Sequence, residues 1–352
     1  MARTLKQLLT LAVERKASDL HLNVGVPPTL RIDGKLVSVD STPCTPQETQ
    51  TICFECLNQD QTSRLDNDRS IDLSFGLEGI ARFRANIFWS LDNVAGAFRV
   101  VPYAIPTPED LGLPATAVKL ADKPRGLVLV TGPTGSGKTT TLAALIQHIN
   151  QARAEHILTI EDPIELLYEQ NKSIINQLEV GRDAKNFGQA LKYTLRQDPN
   201  VVLIGEMRDF ETIQSAITIA ETGHLVFATL HTNTATQTID RIIDVFPPNQ
   251  QPQVRTQLSF ILEGILCQQL LPKVGGGRSL ALEILIPTPG IRNLIREGKT
   301  HQLVSQMQMG QQQSGMMTMD QALGLLVKRK QVEQQDALAR CVNTEDFLKM
   351  VN

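Results

Sequence analysis

At 352 residues the chain exceeds one typical domain and suits two. It is 41% hydrophobic and 20% charged, as globular proteins are, and no apolar run approaches the ~18 residues of a membrane helix. A formal net charge of −3 lacks the basic excess of nucleic-acid proteins and argues against a nucleic-acid partner.

The opening segment, MARTLKQLLTLAVERKASDL, places Leu5, Leu8, Leu9 and Ala12 at helical spacing. It has neither the uninterrupted apolar core nor the cleavage site of a secretory signal, so a cytoplasmic location is expected. TLRIDGKLVSV alternates around Asp33 and Gly34 and predicts a hairpin. Residues 44–65 read as helical. They carry Cys53 and Cys56, an isolated C-x-x-C; Cys267 and Cys341 are single and distant. With no second pair or histidines nearby, reduced packing thiols are expected rather than a zinc site. SIDLSFGL, ARFRANIFW and AGAFRVVP predict an antiparallel meander, which completes an α+β unit over residues 1–101. Residues 102–124 hold five of the 18 prolines and read as a linker.

From 125 to 352 the pattern is α/β. GLVLVTG, HILTIED, NVVLIGE and LVFATLH are short apolar runs of the kind buried on both faces of a mainly parallel sheet. Each ends in a polar or glycine-rich tip, and open α/β sheets bind ligands at the carboxyl ends of their strands. The four tips are therefore expected to converge on one site.

The first tip spans Gly132, Pro133, Thr134, Gly135, Ser136, Gly137, Lys138, Thr139 and Thr140, and matches G-x-x-x-x-G-K-[ST] between a strand and a helix. Its glycines let backbone N–H groups wrap phosphates at a helix N-terminus. Lys138 suits the β- and γ-phosphates of ATP, and the Thr139 hydroxyl suits Mg²⁺. The third tip ends in Glu206, a carboxylate able to hold Mg²⁺ through water. The second gathers Glu161, Asp162 and Glu165, acids that repel one another unless a cation or basic group intervenes. One of the three is expected to orient or deprotonate the attacking water, and the pattern leaves open which. His224 and His231 bracket the last strand; sensing of the γ-phosphate and a structural role are both open for them.

Together, in this order, TGPTGSGKTTTLAALI, ILTIEDPIE, RQDPNVVLIGEMRD and AETGHLVFATLHTN resemble the secretion/pilus ATPase superfamily: Walker A, acidic box, Walker B with glutamate, and histidine box. ASDLHL near the N-terminus also fits, and the resemblance covers nearly the whole length. It implies a PAS-like N-terminal domain followed by a RecA-like P-loop ATPase domain, assembled as a homo-hexameric ring. It further implies Glu165 as catalytic glutamate in preference to Glu161, with Glu206, Lys138 and His231 also catalytic. Arg84 and Arg99, with Arg82 as a further option, would reach the nucleotide from the N-terminal domain. Arg241 and His224 would act as interfacial sensors.

Within the superfamily the chain resembles the motors of type IV pilus retraction. Their motif AIRNLIRE is matched from Gly290 through Ile291, Arg292, Asn293, Leu294, Ile295, Arg296 and Glu297, with only the first position changed. Pro289 predicts that a helix starts there, so the glycine should cost little. Ile291, Leu294 and Ile295 share an apolar face; the polar residues become candidates for coupling ATP turnover to retraction. The resemblance implies an inner-membrane platform protein as partner, an accessory retraction ATPase as a second, and peripheral docking at the inner membrane. Extension and secretion ATPases of the superfamily usually carry a longer N-terminal region and a tetracysteine module, neither matched here, and the alternative that the chain is itself an accessory retraction ATPase is disfavoured by the GIRNLIRE match. A RecA-like nucleic-acid motor is disfavoured by charge, and a non-hydrolysing regulator by the intact acid cluster. The methionines of MQMGQQQSGMMTMDQAL are expected to pack.

Overall fold

Thr4 starts the first helix by a capping box: its hydroxyl accepts from the Gln7 backbone N–H and the Gln7 side chain returns to the Thr4 N–H. This helix, α1 (Leu5–Glu14), buries Leu5, Leu8, Leu9 and Ala12, the stripe its spacing predicts. A computed structural model of the chain describes residues 3–32, 34–101 and 105–351, divided between two units.

The first unit holds residues 1–104 together with 163–167. After α1 come β1 (Asp19–Leu22), β2 (Thr29–Ile32), β3 (Lys35–Ser38), α2 (Pro46–Phe54), α3 (Gln59–Asp68), β4 (Ser70–Leu77), β5 (Ala81–Ser90) and β6 (Asn93–Val101). The strands form one antiparallel sheet in the order β3-β2-β1-β6-β5-β4. The expected meander is β4-β5-β6. The expected hairpin pairs Ile32 with Lys35, while Asp33 lies outside the described residues. Residues 44–65 do not form one helix. Asn58 accepts from the Gln61 N–H and caps a new one, so α2 ends at Phe54 and α3 starts at Gln59. Leu20, Leu30, Phe83, Ile87 and Phe98 form the core with Leu9, Ile52 and Leu65 of the helices. Burial pushes the Cys53 and Cys56 thiols up to about 12, which keeps both protonated and poor as metal ligands.

The second unit holds residues 105–162 and 168–352. In chain order it contains α4 (Ala115–Val118), β7 (Gly126–Thr131), α5 (Lys138–Ala152), β8 (His156–Glu161), β9 (Ile174–Glu179), α6 (Phe187–Thr194), β10 (Val201–Ile204), α7 (Phe210–Glu221), β11 (Leu225–Leu230), α8 (Ala235–Asp244), α9 (Gln251–Ile261), β12 (Leu262–Pro272) and β13 (Arg278–Leu285). The tail then adds α10 (Pro289–Arg296), α11 (Leu303–Ser314), α12 (Met319–Lys328), α13 (Gln334–Leu338) and α14 (Thr344–Val351). The sheet order is β13-β12-β7-β11-β10-β8-β9, parallel throughout except that β13 runs antiparallel at the edge. Leu127 and Leu129 enter one core layer, Val128 and Val130 the other, which is why these strands read as unbroken apolar runs. Met307, Met316 and Met319 are buried packing residues, whereas Met309 of the same stretch is exposed, against expectation.

The linker expectation needs correction. Residues 102–104 lie outside the described residues, but from Ile105 the chain belongs to the second unit. Leu113, Ala117, Leu120 and Ala121 are buried in the same layer as Leu142, Leu145, Ile146 and Ile149 of α5. The prolines shape this segment without freeing it, because the apolar side chains between them have a core to enter.

Candidate functional site

The parallel register brings the strand tips together. β11 lies between β7 and β10, and β10 lies between β11 and β8. The phosphate loop, the Glu206 tip and His231 therefore leave the same end of neighbouring strands.

Thr131 ends β7, fully buried, and the loop turns through Gly132, Gly135 and Gly137, all at positive φ. At Gly132 a side chain would strike the Gln268 carbonyl of β12, so the close approach requires glycine. Gly137 is the N-cap of α5, left-handed and without a side-chain cap, which leaves the first N–H groups of the helix available to an anion. The Lys138 ammonium donates to the Gly132 carbonyl at 2.8 Å and to the Pro133 carbonyl at 3.0 Å. The Ser136 hydroxyl is buried inside the loop with no protein partner among the described residues. Thr139 and Thr140 are half-buried in the first turn. Gln268 donates to the Thr141 hydroxyl at 2.7 Å in the interior and anchors α5 to β12. A cationic side chain, uncapped N–H groups and an unpaired buried hydroxyl together suit phosphate.

Glu206 stands two residues beyond β10. The Gly205 N–H donates to the Ile160 carbonyl at 2.8 Å, and the Thr229 hydroxyl donates to the Gly205 carbonyl at 2.5 Å. The tip is thereby fastened to both neighbouring strands. Arg208 lies 2.7 Å from one carboxylate oxygen of Glu206, and His231 Nε2 lies 3.0 Å from the other. Partial burial opposes ionisation of Glu206, but the contacts with Arg208 and His231 outweigh it and hold the carboxyl below its usual range. A depressed folded-state pKa contributes stability above the unfolded value and loses it as pH falls through the lowered one. Arg208 is a site residue the sequence reading passed over, although it stands in GEMRD, two residues after the glutamate.

His224 is placed differently from His231. Its Nδ1 lies 3.0 Å from both the Ile219 carbonyl and the Thr222 hydroxyl, contacts that hold the ring at the end of α7. Arg241 is exposed in the last turn of α8, where a cation complements the helix dipole.

Among the acids, Glu161 is buried, accepting from the Thr159 hydroxyl at 2.7 Å and from Gln177 at 3.3 Å. Glu165 belongs to the stretch that clusters with the first unit, with Arg84 3.5 Å away and both side chains about two-fifths exposed. Arg84 pairs in register with Arg99, and Arg99 with Asp19, whose carboxylate lies 3.0 Å away. Arg82 on β5 is buried.

The helix of the GIRNLIRE stretch is α10. Thr288 caps it by accepting from the Ile291 N–H, and Pro289 occupies its first turn. Ile291 and Ile295 are fully buried and Leu294 packs beside them. The polar residues separate into two sets. Arg292 points inward: its guanidinium donates to the Ser259 carbonyl at 2.7 Å, the Phe260 carbonyl at 3.0 Å, the Pro287 carbonyl at 3.1 Å and the Glu263 carboxylate at 3.0 Å. It therefore does not share the solvent-facing surface of the other three, as the spacing suggests. Asn293, Arg296 and Glu297 stay outside. Asn293 donates to Glu297 at 2.8 Å, and the Arg296 guanidinium lies 5.8 Å from the centre of the exposed Phe260 ring.

Gly290 has an ordinary φ, and the nearest atom to an added methyl would be Gln306 Oε1 at 3.6 Å. Gly290→Ala is expected to stabilise the protein by about 0.5–1 kcal/mol, by restricting the unfolded chain and improving helix propensity. A thermal melt checks this; a lowered midpoint would mean that the helix start requires glycine.

A phosphate loop, an acidic tip and a histidine on adjacent parallel strands define a RecA-like P-loop nucleotide-binding protein. The chain belongs to the type II/IV secretion system protein family, whose profile matches residues 1–276. It is 45% identical to the type IV pilus retraction ATPase PilT of Pseudomonas aeruginosa, over 97% of this chain and 99% of that protein. It is 41% identical to the type IV pilus ATPase PilU of the same organism, over 98% of this chain and 91% of that protein. A crystal structure of the pilus retraction motor PilT with bound ADP matches with a TM-score of 0.93 at 47% identity, covering 99% of each chain.

Proposed function

We propose that this protein is an ATP-hydrolysing motor that powers type IV pilus retraction. The observation that carries this reading is the end-to-end likeness to PilT, with no large segment of either chain left over. It acts as a homo-hexamer in the cytoplasm, docked on an inner-membrane platform protein, with a PilU-like ATPase as a second partner. Lys138 and the N–H groups of the loop bind the β- and γ-phosphates. Thr139, and Glu206 through water, would hold Mg²⁺, which supplies charge neutralisation at the transferred phosphoryl group. Glu165 takes the proton of the attacking water, with the Arg84 guanidinium 3.5 Å from its carboxylate. His231 reports on the γ-phosphate end of the site through its contact with Glu206. Arg99, Arg241 and His224 are further candidates for interfacial contact with nucleotide. Asn293, Arg296 and Glu297 present the surface through which turnover is converted to retraction.

Removal of the gene from its host is expected to leave cells that carry surface pili but do not twitch. Electron microscopy of the surface together with a motility assay checks both arms. Bald cells would instead identify an assembly motor.

A further inference from the structure

The second unit contains a buried carboxylate to which the reading of the nucleotide site gives no role. Glu283 of β13 is 5% exposed. One of its oxygens accepts from the Ala235 N–H at 2.6 Å and the other from the Met319 N–H at 3.0 Å. These are the first residues of α8 and α12, so one side chain caps two helices more than 35 residues apart from it in sequence. Burial raises its pKa, while the two backbone donors and the Cys267 thiol act in the opposite direction.

Cys267 of β12 is the register partner of Glu283 on one side and of Thr131, the residue before the phosphate loop, on the other. Its thiol is buried, and that burial pushes its pKa well up. The Thr238 hydroxyl of α8 donates to the Thr234 carbonyl at 2.7 Å and meets the Thr232 hydroxyl at 2.7 Å, and Thr232 directly follows His231. Glu283 thus holds the first N–H of α8, Thr238 holds Thr234 and Thr232 in the turn just before it, and that turn brings His231 to Glu206.

We infer that Glu283 is a positioning residue for ATP hydrolysis. By capping α8 and α12 with one carboxylate it fixes the start of α8, and with it the Thr238-held turn in which His231 meets Glu206, and it makes that pose depend on the C-terminal helices. The inference rests on the reading of His231 as a site residue. A loop held only by its own threonines would sample other poses, and misplacement on the ångström scale is enough to slow a positioned reaction severely.

The test is a double-mutant cycle on the full-length protein, with kcat and KM for ATP measured alongside thermal midpoints. Glu283→Gln keeps the volume but leaves one acceptor oxygen for two helix ends. It is expected to lower kcat about ten-fold, with KM within about two-fold, because the phosphate loop is untouched. In a His231→Ala background the same change is expected to cost nothing further. Thr238→Val removes the contacts with Thr232 and the Thr234 carbonyl and leaves both Glu283 caps in place. It should show the same non-additivity, and it serves if the Gln variant does not fold. Independent, multiplying losses in the double variants would overturn the inference, as would a lowered thermal midpoint with kcat unchanged. Wild-type kcat in His231→Ala alone would overturn the reading of His231, and this inference with it.

Discussion

Lys138→Ala is expected to lower ATP turnover by a factor on the order of 10²–10³, the cost of deleting one preorganised charge from a transition-state site. Its ammonium is already poised, 2.8 and 3.0 Å from the carbonyls of Gly132 and Pro133 at the mouth of the loop. In the proposed site those contacts would exchange for phosphate oxygens when nucleotide binds. They contribute little to folding, because the side chain is only part-buried and water can replace it at both carbonyls. The melting midpoint without nucleotide is therefore expected to stay within a few degrees of wild type. Nucleotide-dependent stabilisation should shrink. A ligand at about 100 times its Kd adds roughly 2.7 kcal/mol, and the variant should need far more nucleotide for the same shift. Hydrolysis at the wild-type rate would show that Gly132 to Thr140 is not the hydrolytic site. A collapse of the nucleotide-free midpoint would show that the lysine is structural.

What could be read from the sequence followed from whether the physics was local. The four strand tips were legible because a strand buried on both faces can only be apolar and a phosphate loop needs glycine at fixed offsets. The α10 helix was legible from Pro289 and the spacing of Ile291 and Ile295. The misread elements depend on distant partners. Proline count suggested a tether before Gly126, but the burial of Leu113 and Leu120 depends on where α5 lies. Arg292 looked like its neighbour Arg296; only the fold shows that the carbonyls of Ser259 and Phe260 wait for it. Arg208 was visible in the string but acquired meaning only when found 2.7 Å from Glu206. Glu283 gave no signal at all, since a single glutamate in ALEILI reads as the solvent side of an edge strand.

The division within the α10 motif leads to a separation of effects that a purely surface role would not produce. Helix α9 runs straight into β12, so the carbonyls of Ser259 and Phe260 have no following turn to receive them. Arg292 satisfies both, and its remaining nitrogens reach the Pro287 carbonyl and Glu263. Glu263 is also held by Lys123 at 2.8 Å, just ahead of the strand that leads to the phosphate loop. Arg292→Ala would take the guanidinium from three carbonyls, the Ser259 and Pro287 ones part-buried and the Phe260 one exposed, and leave Glu263 with a single cation. Charge-assisted bonds of this kind are worth about 1.5–3 kcal/mol each, and water can recover part of the loss. A net cost of roughly 2–4 kcal/mol is expected. For a domain of this size that lowers the melting midpoint by roughly 5–12 °C. Arg292→Lys keeps the charge without the planar fork and should fall between. The paired variant Arg296→Ala, Glu297→Ala touches only the exposed network above Phe260 and should leave both the midpoint and ATP turnover near wild type while abolishing twitching. Calorimetry, an ATPase assay and a motility assay on the same three proteins resolve the two roles. If Arg292→Ala melts with the wild type, the clamp is not structural; if the paired variant loses turnover together with motility, the outer face belongs to the nucleotide site and not to coupling.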